Sequence, residues 1–578
     1  MEIDAALERA KPLGRTQAAV LTTSSFFTVE IAWLILSVVF IAETPLHHCD
    51  VGTNTTLPET EDNVYESCEE FVDPEWKNET MACSDGWYYD TELYGHSIVS
   101  EWDLVCDKDS LAGLSQSIML AGFALGAIIT GTIADKYGRR LITIVSLVIF
   151  NILGIAVSFS PNYATFVTLR FFLGIFSRAI QLPTLILLFE YLLPKHRATV
   201  GNAPGVLFTL GLMVMSGLAY WIRDWRQFHA LMMTPTILAM TFIWLQPESV
   251  RWLLSQGKYE EAEKWMQKCA KFNGVKDFPS PALKLANRNL EETEGDSKDK
   301  KKGGSITQLF KPPTLVATLI ISWLWITYAL VYFGFALTTG TLAGDPYLNF
   351  FLSSLVELPA RILPLFIIER FGRLIPLISI LLSAGVCMIA IIVVPIDVAG
   401  GWLLSSLALL GKFLTVCSYA AITLVTSELF PTTLRLAGMG FAQLIGNLGS
   451  IASPILIYLD KFVPDLSFMI MTASAFLAAF LCLYLPETKN TVQPETPEDL
   501  QILFDSKTLF SRLRKTQPPH DDVSISTNQS KMEEKLEENM TNEEGPNENT
   551  MNGINDEHIN EGGGGGGENA GFEEDTNM

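Results

Sequence analysis

Residues 131–140 read Gly131-Thr132-Ile133-Ala134-Asp135-Lys136-Tyr137-Gly138-Arg139-Arg140, a charged turn set between two long apolar runs. Much the same turn returns 234 residues later as Glu369-Arg370-Phe371-Gly372-Arg373. Two further pairs keep nearly that spacing. Glu190 and Arg197, seven apart, recur as Glu428 and Arg435 at an offset of 238, and Pro247-Glu248-Ser249 recurs as Pro486-Glu487-Thr488 at an offset of 239. Self-similarity at a fixed offset marks a duplicated structural unit. The three pairs follow the second, fourth and sixth apolar runs of each copy, so the repeated unit has six helices.

A helical membrane crossing takes ~20 apolar residues. Such runs lie near 18–43, 111–134, 141–160, 162–192, 200–222, 226–246, 314–337, 347–368, 374–395, 399–427, 435–459 and 466–486. The expected fold is therefore an all-α membrane protein with twelve transmembrane helices in two parallel six-helix repeats and one large loop. The predicted divisions are an N-terminus at 1–17, a first half at 18–246 that includes the loop at 44–110, a linker at 247–313, a second half at 314–486 and a tail at 487–578. The first run follows a mixed-charge start (Glu2, Asp4, Glu8, Arg9) and precedes no small-residue cleavage site, so it reads as a span rather than a cleaved signal.

The charge supports this division. The 578 residues are 49% hydrophobic and only 18% charged, with net charge -23, against about 25% charged in a soluble globular chain. Residues 44–110 carry net -15 and residues 487–578 net -14, leaving the body at +6. Such a body is neither a nucleic-acid binder with a basic groove nor a simple soluble enzyme.

Lys and Arg in short loops set orientation. One side collects Arg9, Lys11, Arg15, Lys136, Arg139, Arg140, Lys195, Arg197, Lys300 to Lys302, Arg370, Arg373 and Arg435; Arg223 and Arg226 are exceptions on the other. Both termini are thus expected in the cytoplasm and the 44–110 loop outside. That loop holds Cys49, Cys68, Cys83 and Cys106, enough for two disulfides by any of three connectivities, and glycosylation sequons at Asn54 and Asn78. Residues 255–304 read as an insert with a charged helix from Tyr259 to Lys271, and 489–578, rich in Glu, Asn and Gly, as disordered. The acidic tail offers a segment for a cytoplasmic scaffold and the outer loop a surface for oligomerisation.

Ionisable side chains inside spans are costly and mark pathways or partners. The candidates are Glu30, Arg178, Glu357, Arg361 and Lys412. Glu357 and Arg361, four apart, share one helix face and either pair with each other or meet substrate. Lys412 and Arg178 are alternative counter-ions for acids such as Glu30. The aromatic residues Trp323, Trp325, Tyr328, Tyr332 and Phe333 either pack the seventh helix or line a pocket, where rings attract cations. The sequence has no phosphate-binding G-x-x-x-x-G-K-[ST] loop and no H-E-x-x-H zinc motif. Neither a cofactor nor a metal is expected, and transport would run on a substrate gradient, membrane potential, exchange or ion coupling.

The 131–140 stretch resembles the loop signature of the major facilitator superfamily at every defined position, and transporters of that type are built from repeats with a site between the halves. In this reading Gly131 permits close helix approach, Gly138 a tight turn, and Asp135, Arg139 and Arg140 a charge lock that breaks as the halves rock. Glu190, Arg197, Glu369, Arg373, Glu428 and Arg435 join the corresponding gate. More narrowly, the chain resembles the organic cation, anion and carnitine transporter family. The matching stretches are Gly14-Arg15-Thr16-Gln17, Ser100-Glu101-Trp102-Asp103-Leu104-Val105-Cys106, Pro247-Glu248-Ser249-Val250-Arg251-Trp252-Leu253-Leu254, Val356-Glu357-Leu358-Pro359-Ala360, Gly411-Lys412-Phe413 and Glu428-Leu429-Phe430-Pro431-Thr432. The resemblance implies a plasma-membrane carrier of small organic ions, with Glu357, Arg361, Asn447, Tyr332, Glu30 and Lys412 as substrate contacts. At Asn447 the family's cation carriers have Asp and its anion or carnitine carriers Arg, so a neutral residue leaves the sign of the cargo open. Sugar porters share the loop signature but lack the long outer loop; a sugar or proton-coupled porter and a non-transporting sensor are the alternatives.

Overall fold

A computed structural model of the chain describes residues 2–51, 58, 66–72, 79–91, 95–201, 203–275, 278, 306–394, 396–489, 491 and 493–507. The long helices are α1 (Arg15–Leu36, continued by Val38–Ile41), α2 (Ser110–Tyr137), α3 (Arg139–Ser158), α4 (Tyr163–Tyr191), α5 (Ala203–Trp221) and α6 (Trp225–Leu245) in the first half. The second half has α7 (Thr314–Leu337), α8 (Pro346–Phe371), α9 (Leu374–Val393), α10 (Ile396–Leu429), α11 (Arg435–Leu459) and α12 (Leu466–Cys482). Among the described residues, eleven helices are long and apolar enough to cross a membrane, and α12 is a shorter apolar helix.

The duplicated motifs do the same mechanical work in both halves. After α2 the chain turns at Gly138 (φ 100°), and after α8 at Gly372 (φ 96°), a left-handed backbone that glycine adopts without a Cβ penalty. The first backbone N–H groups of the next helix lack intrahelical partners. The Glu248 carboxylate accepts from Arg139 N (2.9 Å) and Arg140 N (3.2 Å) at the start of α3. The Glu487 carboxylate accepts from Arg373 N (2.9 Å) and Leu374 N (3.1 Å) at the start of α9. A negative group there also suits the positive end of the helix dipole. A Cβ on Gly138 would lie 2.7 Å from a Glu248 oxygen, and one on Gly372 2.9 Å from a Glu487 oxygen, so the glycines also make room for these caps.

Between α1 and α2, two short antiparallel pairs form, β1 (His47–Cys49) with β4 (Trp87–Tyr89) and β2 (Glu69–Phe71) with β3 (Thr80–Ala82). Of the three open connectivities the fold uses Cys49–Cys83 and Cys68–Cys106. Asn54 and Asn78 lie outside the described residues. The returning segment is anchored to the first half: Arg226 Nε donates to Glu101 (3.1 Å), its Nη1 and Nη2 donate to the Ser158 and Ser160 carbonyls, and Trp225 Nε1 also donates to Glu101. Arg226, an exception to the loop-charge rule, is therefore spent on a carboxylate of the loop itself.

At this loop end the halves meet directly. Phe40 stacks on Tyr347 (5.5 Å between centroids) and packs edge-on to Phe350, Tyr220 packs on Tyr347, Ser117 Oγ donates to the Ile451 carbonyl, and Lys461 pairs with Asp109. At the opposite, motif-bearing end the N-terminal helix Glu2–Arg9 is fastened to the segment after α6 by Arg251–Asp4 (2.6 Å) and by Asn273, which donates to the Ala10 carbonyl and accepts from Thr16 N. The charged helix expected in the insert forms over Tyr259–Phe272. The tail departs from the expected disorder at its start: Pro497–Lys507 is helical, and Leu500 and Leu503 bury against the second half, because these two apolar residues sit on one face of a short helix.

Candidate functional site

Helix α8 places the central charges. Asp345 caps it by accepting from Leu348 N (2.9 Å), and Pro346 starts it without needing the hydrogen bond it lacks. Pro359 and Pro364 lie inside it; each removes one ladder hydrogen bond. Glu357 and Arg361 flank Pro359 and project from the same side, as four-residue spacing requires.

Glu357 is 0% exposed and is the hub. Its Oε1 accepts from Lys412 Nζ on α10 (3.1 Å) and from the Tyr332 hydroxyl on α7 (3.1 Å). Its Oε2 accepts from Thr209 on α5 (3.3 Å) and from Arg361 Nη2 (3.5 Å). Lys412 Nζ further donates to Ser353 Oγ (2.8 Å) and lies 5.6 Å from the Tyr332 ring centroid. Arg361 Nε donates to Thr209 Oγ1 (2.9 Å), and the guanidinium stands 5.6 Å from the Phe208 ring centroid. A buried carboxylate without partners would be strongly unfavourable; four donors compensate this one. Two cations surround one carboxylate, so the cluster carries one surplus positive charge. Arg361, with 13% of its side chain exposed, is its most accessible charged member.

Thr209 and Phe208 come from the first half, the other members from the second, so the cluster straddles the seam between α5 and α8. Sequence reading missed Thr209, Phe208 and Ser353, because neutral residues in apolar helices raise no charge signal. Of the predicted contacts, Glu357, Arg361, Lys412 and Tyr332 come together. Two do not. Glu30 on α1 is 1% exposed and neither carboxylate oxygen has a hydrogen-bond partner. Asn447 on α11 keeps a buried Nδ2 with no partner. The alternative in which Lys412 or Arg178 pairs with Glu30 is not the one the fold uses: Lys412 turns to Glu357, and Arg178 Nη1 donates to Gln181 (2.6 Å). Tyr328 stacks on Tyr332 and packs against Tyr419, whereas Trp325 donates to Thr426 and serves packing.

At the motif end Arg139 pairs with Asp135 (3.1 Å) and approaches Glu190 (3.8 Å). Arg373 holds Glu428 through two hydrogen bonds (3.1 and 3.0 Å), and these bonds, first among several causes, hold its guanidinium above its ordinary pKa. Among the described residues, the ion pairs of this end stay within one half, so this conformer shows two intramural clamps rather than a lock across the seam. Several expectations change accordingly. Arg140 Nε donates to the Gln246 carbonyl, not to an acid. Arg373 pairs with Glu428, while Arg435 donates to Gln493 rather than to an acid. A Cβ on Gly131 would meet nothing within 4 Å, so no close helix approach occurs there. The Arg197 side chain lies outside the described ones.

The chain matches the family model described as sugar (and other) transporter over residues 62–500. It is 33% identical over 476 residues to organic anion transporter 3 of Sus scrofa, covering 80% of this chain and 87% of that one. It is also 33% identical to the organic cation transporter protein of Drosophila melanogaster (77% and 82% covered), and 30% identical to solute carrier family 22 member 3 of Mus musculus (90% and 99% covered). In fold it resembles the inward open xylose transporter XylE from E. coli, at 19% identity and TM-score 0.55 over 84% of this chain and 98% of that one. A twelve-helix body built from a duplicated unit, with a charged cluster at the seam and relatives that transport organic ions, belongs to the major facilitator fold: the chain is a multi-pass membrane protein of the sugar (and other) transporter family, in its organic-ion branch, solute carrier family 22, and acts as a secondary transporter of organic ions.

Proposed function

We propose that the Glu357–Arg361–Lys412 cluster is the substrate site and that the preferred cargo is a small organic anion. One observation carries the sign. Glu357, the cluster's sole carboxylate, is fully engaged by four donors and has no exposure, while Arg361 is held by a threonine and a long contact to Glu357. A cation entering the cluster meets no free acid; an anion meets a guanidinium in a low-dielectric setting, where charge-assisted bonds are strongest. Sequence identity does not choose, since an anion carrier and a cation carrier are equally similar at 33%.

The carrier sits in the plasma membrane with both termini and the motif end in the cytoplasm, in line with the Lys and Arg distribution. In that orientation the Phe40, Tyr347 and Lys461 contacts close the outer mouth, and rocking about the α5–α8 seam exposes the cluster alternately. The two intramural clamps keep each half rigid during that motion. The acidic tail is a segment for a cytoplasmic scaffold and the outer loop a surface for oligomer contact, supported by their charge. Purified protein in liposomes tests the reading with a quaternary ammonium, a carnitine-like zwitterion and an aromatic monocarboxylate. Saturable uptake is expected for the carboxylate above the other two; preference for the quaternary ammonium would overturn the sign.

A further inference from the structure

We propose that Arg140 and Lys268, which meet on the indole of Trp265, form a binding site for the phosphate of an anionic phospholipid in the cytoplasmic leaflet. The inference rests on the orientation proposed above, with the motif end in the cytoplasm. Arg140 is the second residue of α3 and Gln246 the first after α6, and Arg140 Nε donates to the Gln246 carbonyl (2.9 Å). That bond fixes the guanidinium where two membrane-spanning helices end. Its centre lies 5.4 Å from the Trp265 ring centroid, and Lys268 Nζ, on the insert helix Tyr259–Phe272, lies 4.5 Å from the same centroid. Trp265 packs against the buried cluster that includes Leu187, Tyr191 and Met266, which makes its ring a fixed platform for the two cations.

Among the described residues neither cation has an ion-pair partner, whereas the adjacent Arg139 is taken up by Asp135 and Glu190. Two cations gathered on one ring without an acid can both give charge-assisted hydrogen bonds to a phosphate. Gln246 is a second, independent observation at the same place: it is fully buried, yet neither atom of its side-chain amide has a hydrogen-bond partner, although buried amides are normally satisfied. The surroundings fit a lipid better than a soluble phosphate. Leu141, next to Arg140, and Trp244 and Leu245, just before Gln246, are large exposed apolar side chains on the spans of α3 and α6. An acyl chain covers such surface while its phosphate reaches the cations above; a soluble phosphate gains nothing from it. Helix ends lie at the level of the headgroups, indoles favour that interface, and the cytoplasmic leaflet is the anionic one.

The test titrates the full chain, purified in detergent, with dioctanoyl phosphatidylglycerol, dioctanoyl phosphatidylcholine and inorganic phosphate, and reads bound lipid by native mass spectrometry. Phosphatidylglycerol should bind more tightly than phosphatidylcholine, and inorganic phosphate at equal concentration should not displace it. Lys268→Gln, a change at an exposed position, should weaken phosphatidylglycerol binding about fivefold, the effect of one basic side chain at an anionic surface. Arg140→Gln should weaken it at least as much. Lys258→Gln is the control: this lysine is also exposed but lies over Trp252 (5.4 Å), so binding should stay within about twofold of wild type. Equal affinity for the two lipids, displacement by inorganic phosphate, or equal losses in Lys258→Gln and Lys268→Gln would overturn the site. Should Arg140→Gln fail to fold, Lys268→Gln and its rescue by Lys268→Arg decide the question: a loss that arginine restores supports the site, and no loss overturns it. Binding in detergent does not depend on sidedness, so an N-terminal tag reached from outside intact cells would overturn the orientation instead, a different result.

Discussion

Arg139 in the first half stands 3.8 Å from Glu190, while its counterpart Arg373 grips Glu428 with two hydrogen bonds at 3.1 and 3.0 Å. The capping carboxylates Glu248 and Glu487, by contrast, occupy equivalent positions over equivalent glycines. At mid-membrane the asymmetry grows. The second half concentrates Glu357, Arg361 and Lys412 in one satisfied network, and among the described residues Glu30 and Arg178 of the first half have no ion-pair partner. Duplication has preserved what every half needs in order to fold, the turn and helix cap, and has let the intramembrane charges diverge. On the proposed function, the polar groups of the seam are where substrate choice is written.

The sharpest way to break this contrast is to remove Glu357. Glu357→Ala leaves Arg361 and Lys412 as buried cations without a carboxylate, and should cost about 3–5 kcal/mol, read as a lower thermal midpoint of the detergent-solubilised protein, together with loss of uptake. Equal midpoints for wild type and variant would mean that the network does not bind the second half together. A middle-sized effect is expected at the two caps. Glu248→Ala and Glu487→Ala should each destabilise by about 1–2 kcal/mol, and by similar amounts if the repeat is mechanically equivalent. A double-mutant cycle sharpens the difference between the clamps: the coupling of Arg373 with Glu428 should exceed that of Arg139 with Glu190 by about 0.5–1 kcal/mol, since bidentate geometry is what gives partly exposed pairs their worth.

The smallest effect concerns pH at the loop end. Glu43 follows α1 and packs against Gly340, where a Cβ would lie 3.0 Å from its Oε2. Burial pushes its carboxyl up from 4.5 to about 7. The closed mouth then binds a proton more tightly than an open, hydrated one, so closure is favoured most at low pH. That advantage declines as pH rises from about 4.5 to about 7. Accessibility of a cysteine placed at the mouth should increase over this window in the wild type and become flat in Glu43→Gln; an opposite slope would refute the assignment.

Much of this was legible in residue order. Crossing length and hydropathy gave twelve apolar runs, which among the described residues become eleven helices long and apolar enough to cross a membrane and a shorter twelfth, and the recurrence of Gly138-Arg139 at Gly372-Arg373 located the duplication. Glu357 and Arg361 declared themselves because four-residue spacing puts opposite charges on one face. Lys412 was legible as an intramembrane cation but its partner was not, because both Glu30 and Glu357 are available and helix rotation selects between them. Thr209 was invisible, being one hydroxyl in an apolar helix whose role depends on a residue 152 positions away. Arg226 broke the loop-charge rule until Glu101 was found beside it.

The sequence by itself determined the number of crossings, the repeat, the charge division between body and appendages, and the identity of the ionisable groups in the spans, because these follow from local hydrophobicity and periodicity. Tertiary structure alone decided which of those groups are neutralised and which disulfides form. Those outcomes depend on how helices from the two halves turn and lean on one another, and in a low-dielectric interior a few ångströms of separation decide whether a charge is satisfied or available.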